Sequence, residues 1–140
     1  MKETFQSIQK IVTDAATEIG LTINQSNVLT STDTDARQLA QFVVSTAEEL
    51  LTKFPWRSYI GEDPWVMSNT SEYKYEIEVD TDVPQIDSRV LKLGARWRYL
   101  HAKGLTYDED FRMYQTRVQS FAYNKNKQRT INMNQEVLET

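Results

Sequence analysis

Cysteine is absent from the 140 residues, and histidine occurs once, at His101. Without thiols there is no disulfide framework, thiolate metal site or cysteine nucleophile. A single imidazole rules out a two-histidine zinc motif. Glycine (four) and proline (three) are scarce, so no glycine-rich loop can cradle a phosphate. No apolar run approaches the ~18 residues of a membrane helix, and the opening MKETFQSIQK lacks the apolar block of a signal peptide. No Gly-x-Gly-x-x-Gly, His-Glu-x-x-His or calcium-loop spacing occurs, and nothing selects a carboxylate pair for glycosidase chemistry. The expectation is a chain with no cofactor, no metal and no membrane partner, and not an enzyme.

Charge is unevenly placed. The net charge is −4, yet residues 1–87 hold six Lys/Arg against fifteen Asp/Glu, and residues 88–140 hold ten against five. A subunit polarised in this way either packs its own oppositely charged helices together or presents opposite signs to two partners.

Helical periodicity dominates. Phe5, Ile8, Ile11, Val12, Ala15 and Ile19 recur at intervals of three and four, predicting a first helix over 4–19. Gly20 and Leu21 follow as a left-handed stop. Residues 21–31 are polar and read as a loop. Thr32 and Asp33 are N-cap types, with Asp35 in the first turn. Ala36, Leu39, Ala40, Val43, Ala47, Leu50, Leu51 and Phe54 then carry a second helix to Pro55. Glu48 and Glu49 fall on its polar side and read as a solvated face.

Residues 56–83 change character. Tyr73, Tyr75, Ile77 and Val79 alternate with Glu72, Lys74, Glu76 and Glu78, the period-two pattern of a strand with one wet face. Ser68–Ser71 reads as a turn, so residues 64–67 become the partner strand. The expectation is a β-hairpin at about 57–80, with its aromatic residues packed against the helices.

Pro84 or Asp87 opens a third helix to about Lys103. Ile86, Val90, Leu93, Trp97 and Leu100 form its apolar line, which Leu91, Ala95 and Ala102 widen. Arg89, Lys92, Arg96 and Lys103 make a basic stripe, and Arg89, Lys92 and Arg96 are a candidate interface. The competing reading is that the stripe neutralises the acidic second helix or a neighbouring subunit. His101, in the last turn, reads as structural. Gly104-Leu105-Thr106 repeats the Gly20-Leu21-Thr22 device. Thr106 and Glu109 form a capping box for a fourth helix, with Phe111, Tyr114, Val118 and Phe121 as its apolar stripe and Asp108, Glu109 and Asp110 at its positive end. Helices three and four are thus an antiparallel hairpin.

Beyond Asn124 the periodicity ends. Lys125, Lys127 and Arg129 precede isolated Ile131 and Met133, and 130–134 alternates in a way that suits addition to another chain's sheet edge. These five residues are candidate contacts, in an arm, to a neighbouring subunit or to another partner protein; the alternative reading is a frayed tail. The chain reads as mainly α: a four-helix core with one inserted β-hairpin in residues 1–123, and an extended C-terminal arm in 124–140. The residues alone indicate a helical interaction module. The alternative is a small DNA-binding module using the third helix and the basic tail.

The string LKLGARWRYLHAKGLTYDEDFRMY resembles the C-terminal helical hairpin of head–tail connector (adaptor) proteins of tailed bacteriophages. The matching residues run from Ala95 to Leu100, from Ala102 to Leu105, and on through Tyr107, Asp108, Glu109 and Phe111. Ile19-Gly20-Leu21, Ala36-Arg37-Gln38-Leu39 and Trp56 are similar in order and spacing, so the likeness spans roughly residues 10–123. It implies a structural virion protein at the head–tail junction, or neck, assembled in the host bacterial cytoplasm. It further implies a dodecameric ring of copies beneath the portal protein, which extends the DNA channel and docks the tail or neck protein below. Double-stranded DNA would pass through the lumen without specific binding. Trp97, Gly104, Tyr107 and Phe111 would be the motif's packing residues.

Overall fold

The structure, a computed structural model, describes residues 4–23, 28–30, 32–53 and 64–120. Expectations for Pro55, Trp56, the start of the hairpin near 57, Phe121 and the arm 124–140 lie outside the described residues.

Helix α1 spans Ile8–Glu18. All three leading N–H groups of this helix are satisfied, which a helix start requires. The Lys10 N–H donates to the Ser7 hydroxyl (3.3 Å), and the Ile8 and Gln9 N–H groups donate to the carbonyls of Asp82 (3.0 Å) and Asp80 (3.2 Å). The expected first turn from Thr4 does not form. The Thr4 N–H is held by the Asp87 carboxylate at 2.9 Å, and its carbonyl accepts from the Ser88 N–H at 2.7 Å. The chain therefore crosses the start of the third helix before α1 begins, and Phe5 stays exposed. At the far end Gly20 adopts φ 82°, and the Leu21 and Gly20 N–H groups donate to Ala16 (2.8 Å) and Thr17 (3.2 Å). This is the paired bonding of a Schellman stop, which needs a residue without Cβ strain.

Helix α2 spans Thr34–Lys53. Its N-cap is Asp33, whose carboxylate accepts from the Asp35 N–H at 3.0 Å. Helix α3 spans Ser88–Ala102, with Asp87 as N-cap. It packs against both α1 and α2. The core joins Ile8, Ile11, Val12 and Ala15 of α1 to Leu39, Val43, Ala47 and Leu50 of α2 and to Val90, Leu91, Leu93 and Ala95 of α3. The expected apolar line of α3 is rotated slightly. Tyr99 is buried, whereas Leu100 is half-buried and Ala102 exposed. The cause is Gly94, which is buried against Thr46 of α2 and brings the backbones together on that side.

Strands β1 (Val66–Met67), β2 (Tyr73–Lys74) and β3 (Val83–Pro84) form a three-stranded antiparallel sheet in the order β2-β1-β3. The hairpin β1–β2 forms at the predicted turn. The Ser68 hydroxyl accepts from the Thr70 and Glu72 N–H groups (3.3 and 3.1 Å), and Ser71 takes φ 65°. Its inward face does not form as expected. Ile77 alone of the alternating set packs on the core, while Tyr73 (60%), Tyr75 (64%) and Val79 (52%) are exposed. The strand pairs for only two residues, because the Asp82 carboxylate captures the N–H groups of Glu78 (2.7 Å) and Val79 (3.1 Å) and curls the chain.

A fourth helix, α4, covers 108–120. The capping box is not what starts it. The Tyr107 carbonyl accepts the first bond, from the Phe111 N–H at 2.9 Å, while the Glu109 carboxylate pairs with Arg112 instead. Tyr114 and Val118 are buried.

Candidate interaction surfaces

The α3–α4 turn repeats the α1 stop. Gly104 has φ 72°, and the Leu105 and Gly104 N–H groups donate to Leu100 (2.9 Å) and His101 (3.1 Å). Reversal there lays Trp97 against Phe111 edge-on, with ring centroids 4.9 Å apart, and against Tyr107 at 6.0 Å and Tyr114 at 6.3 Å. His101 stacks edge-on against Tyr107 at 4.8 Å, which fits the structural role expected of it. Trp97, Tyr107 and Phe111 are therefore one aromatic seam, whereas Gly104 is exposed, with nothing within 4 Å of where a Cβ would sit, and serves the turn rather than the packing. Edge-to-face contacts of this kind add to area burial.

Most of the basic stripe of α3 is engaged inside the chain. Arg96 forks onto Asp110 of α4 (3.2 and 2.9 Å) and reaches Glu18 of α1 at 2.8 Å. Lys92 takes the other Glu18 oxygen at 2.7 Å. Planar two-point pairing is the geometry guanidinium favours with carboxylates. The partners of Lys92 and Arg96 are thus Glu18 and Asp110, whereas the acidic second helix gives Asp35 to Lys103 (4.0 Å) and to the Tyr99 hydroxyl (2.9 Å), and Glu49 to Arg98. Glu49 is accordingly not a purely solvated residue. Arg89 remains exposed and pairs with no described residue. Burial, aided by the Asp35 carboxylate, pushes the Tyr99 phenol up to about 12.

Three aspartates that sequence reasoning did not single out as a set organise the sheet end. Asp87 is fully buried and accepts from the N–H groups of Thr4 and Val90 and from Arg117 of α4 (2.9, 3.2 and 3.0 Å). Asp82, equally buried, holds Lys74 at 2.7 Å. Burial pushes its carboxyl up, but Lys74 and the two backbone amides outweigh this and hold it below the usual carboxylate range. Asp80 accepts from the Val28 N–H at 2.9 Å, which seats Val28 fully in the core although it lies in a polar loop. The Asp-Thr-Asp of 80–82, directly after an apparent strand, was the one available signal, since aspartates bind nearby backbone N–H groups in turns.

Among the described residues no group of three or more His, Cys, Asp or Glu could hold a metal ion, and no helix is long and apolar enough to cross a membrane. Arm residues Lys125, Lys127, Arg129, Ile131 and Met133 lie outside the described residues. No protein-family model, curated protein or solved structure matches the chain. The functional reading therefore rests on the residues and their geometry.

Proposed function

We propose that the chain is a head–tail adaptor: a non-enzymatic virion protein that assembles as a ring beneath a portal, extends the DNA channel and presents a platform to the tail. One observation carries the reading. Trp97, Tyr107 and Phe111 close one seam around the Gly104 reversal, as the resemblance to adaptors implies for that string. Two further features support it. The buried aspartates are bonded to backbone amides and cations of this chain, a scaffolding role. A small core also gains from neighbours, because subunit contacts add buried area that a small chain lacks.

The DNA-binding alternative is less well supported, because Lys92 and Arg96 already serve Glu18 and Asp110. The test is electron microscopy and sedimentation of the purified chain, alone and mixed with a tailed-bacteriophage portal protein. Rings capping the portal are expected. A chain that stays solitary with portal, yet binds duplex DNA with an affinity that collapses in salt, would replace this reading with the alternative.

A further inference from the structure

Residues 4–6, ahead of α1, are held by polar bonds and not by packing. Thr4 and Phe5 are exposed and Gln6 is half-buried, and Phe5 does not pack on the core. Among the described residues, the hydrogen bonds of this segment are those of Thr4. Its N–H donates to the Asp87 carboxylate (2.9 Å), and its carbonyl accepts from the Ser88 N–H (2.7 Å). Beside the segment opens a cleft of about 210 Å³ lined by Thr4, Gln6, Asp14, Ser88, Arg89 and Lys92, with no apolar side chain to seal it. A stretch with few buried apolar contacts lies at the low end of local stability. Helix α1 does not depend on it, because the Asp80 and Asp82 carbonyls and the Ser7 hydroxyl hold the α1 start separately.

Asp87 ties this segment to α4. One carboxylate oxygen takes the Thr4 N–H, and the other takes the Val90 N–H (3.2 Å) and Arg117 Nε (3.0 Å). The two oxygens turn together as one rigid plane, so the donors on one oxygen set where the other points. Arg117 also supplies the counter-charge. The Asp87 side chain is fully buried, and a buried carboxylate stripped of its partner cation is strongly unfavourable. Water must then reach it, and the segment without a buried side chain is the part that can yield.

We propose that residues 4–6 are a releasable strap latched by Asp87, and that Arg117 sets the latch, so that the strap and the last turn of α4 seat as one coupled event. With Arg117 in place, the carboxylate is neutralised and aimed at Thr4. When the end of α4 lifts, the carboxylate draws water and the Thr4 bonds open, while α1, α2 and α3 stay packed through their apolar faces. The reverse holds too, because a coupling between two sites is reciprocal. Displacing the strap hydrates Asp87 and weakens its hold on Arg117. A contact made at the N-terminal segment is thereby felt at residue 120, after which residues 121–140 follow. The device acts within one copy, so it does not rest on the adaptor reading.

Amide hydrogen exchange of the full chain, resolved residue by residue by NMR, tests this. The Ser88 N–H reports the strap directly, because its acceptor is the Thr4 carbonyl. In the parent chain it should exchange far faster than the α2 amides at 39–50, since the strap opens locally. Arg117→Met keeps an apolar stem but removes the charge. It should speed Ser88 exchange by about tenfold or more, the size expected when a bond to a charged group is lost. A loss of global stability alone leaves such a local opening untouched, so the acceleration reads the coupling. Arg117→Lys should bring back part of the protection. Thr4→Pro, which lacks the N–H, should speed exchange at 117–120 by a comparable factor. A Ser88 amide as slow as the α2 amides in the parent would overturn the strap. Unchanged Ser88 exchange in Arg117→Met, or unchanged exchange at 117–120 in Thr4→Pro, would overturn the coupling.

Discussion

Thr46 of α2 fills the space that a side chain at position 94 of α3 would need. A Cβ built on Gly94 would lie 2.4 Å from the Thr46 methyl and 2.5 Å from its hydroxyl. The Thr46 hydroxyl is itself tied to the Phe42 carbonyl at 2.8 Å, so it cannot swing aside freely. Gly94→Ala gains about 1 kcal/mol in helix propensity but forces the helices apart, an overpacking that costs about 1–3 kcal/mol or more. A net loss of about 1–2 kcal/mol is expected in urea unfolding. In a Thr46→Ala background, which removes the methyl and hydroxyl but keeps a Cβ 3.0 Å away, the same change should cost less. Equal losses in both backgrounds would disprove the coupling.

Asp87 should be among the most sensitive positions in the chain. It joins the segment before α1, the start of α3 and Arg117 of α4. Asp87→Ala removes the carboxylate from the Arg117 guanidinium and from the Thr4 and Val90 amides and should cost about 3–5 kcal/mol. Asp87→Asn keeps the acceptor oxygen and should cost less. Chemical denaturation of both variants checks the order.

Acid should weaken the loop that Asp82 holds. Its folded carboxyl lies below the usual value, so the ionised form contributes its full stabilisation above about pH 4. That contribution is lost as pH falls through the lower folded value. Asp82→Asn should therefore melt well below the parent at neutral pH, with the gap narrowing as pH falls below about 4. Melting curves at a series of pH values decide it, and a gap independent of pH would contradict the assignment.

Trp97→Ala should cost about 2–3 kcal/mol, below the 3–5 kcal/mol typical of a fully buried large aromatic. The ring is only half-buried, though it meets Phe111, Tyr107 and Tyr114 together. Thermal unfolding gives the value, and a melting point equal to the parent's would remove the seam from the stabilising contacts.

Ser71 holds a left-handed conformation at φ 65°, which costs a residue with a Cβ about 1–2 kcal/mol. Ser71→Gly relieves that strain at some expense in unfolded-chain entropy. Stability should rise by up to about 1 kcal/mol in urea titration.

Local signals were legible where one stretch of chain carried the whole cause. Both helix stops could be read from Gly-Leu pairs, because a left-handed residue and its following amide are neighbours in sequence. The serine turn at 68–71 was legible for the same reason. The exposure of Tyr73 and Tyr75 was not. Alternation shows that a strand can have two faces, but the bonds from the Asp82 carboxylate to Glu78 and Val79 decide whether that face meets the core. Likewise the stripe Arg89, Lys92, Arg96 was visible as charge, whereas Glu18 and Asp110 as its partners lie 78 and 14 residues from Arg96.

Composition and periodicity alone determined a mainly α chain, the order of its helices, their stops and the chemistry it has no residues to perform. Those properties follow from backbone sterics and from the spacing of apolar side chains within single segments. Packing alone decided that Gly94 is a contact point, that Val28 belongs to the core, that three aspartates hold the sheet end and that Tyr73 and Tyr75 are exposed. Each of these depends on distances between residues far apart in the chain, and such distances are fixed only once the helices have closed on one another.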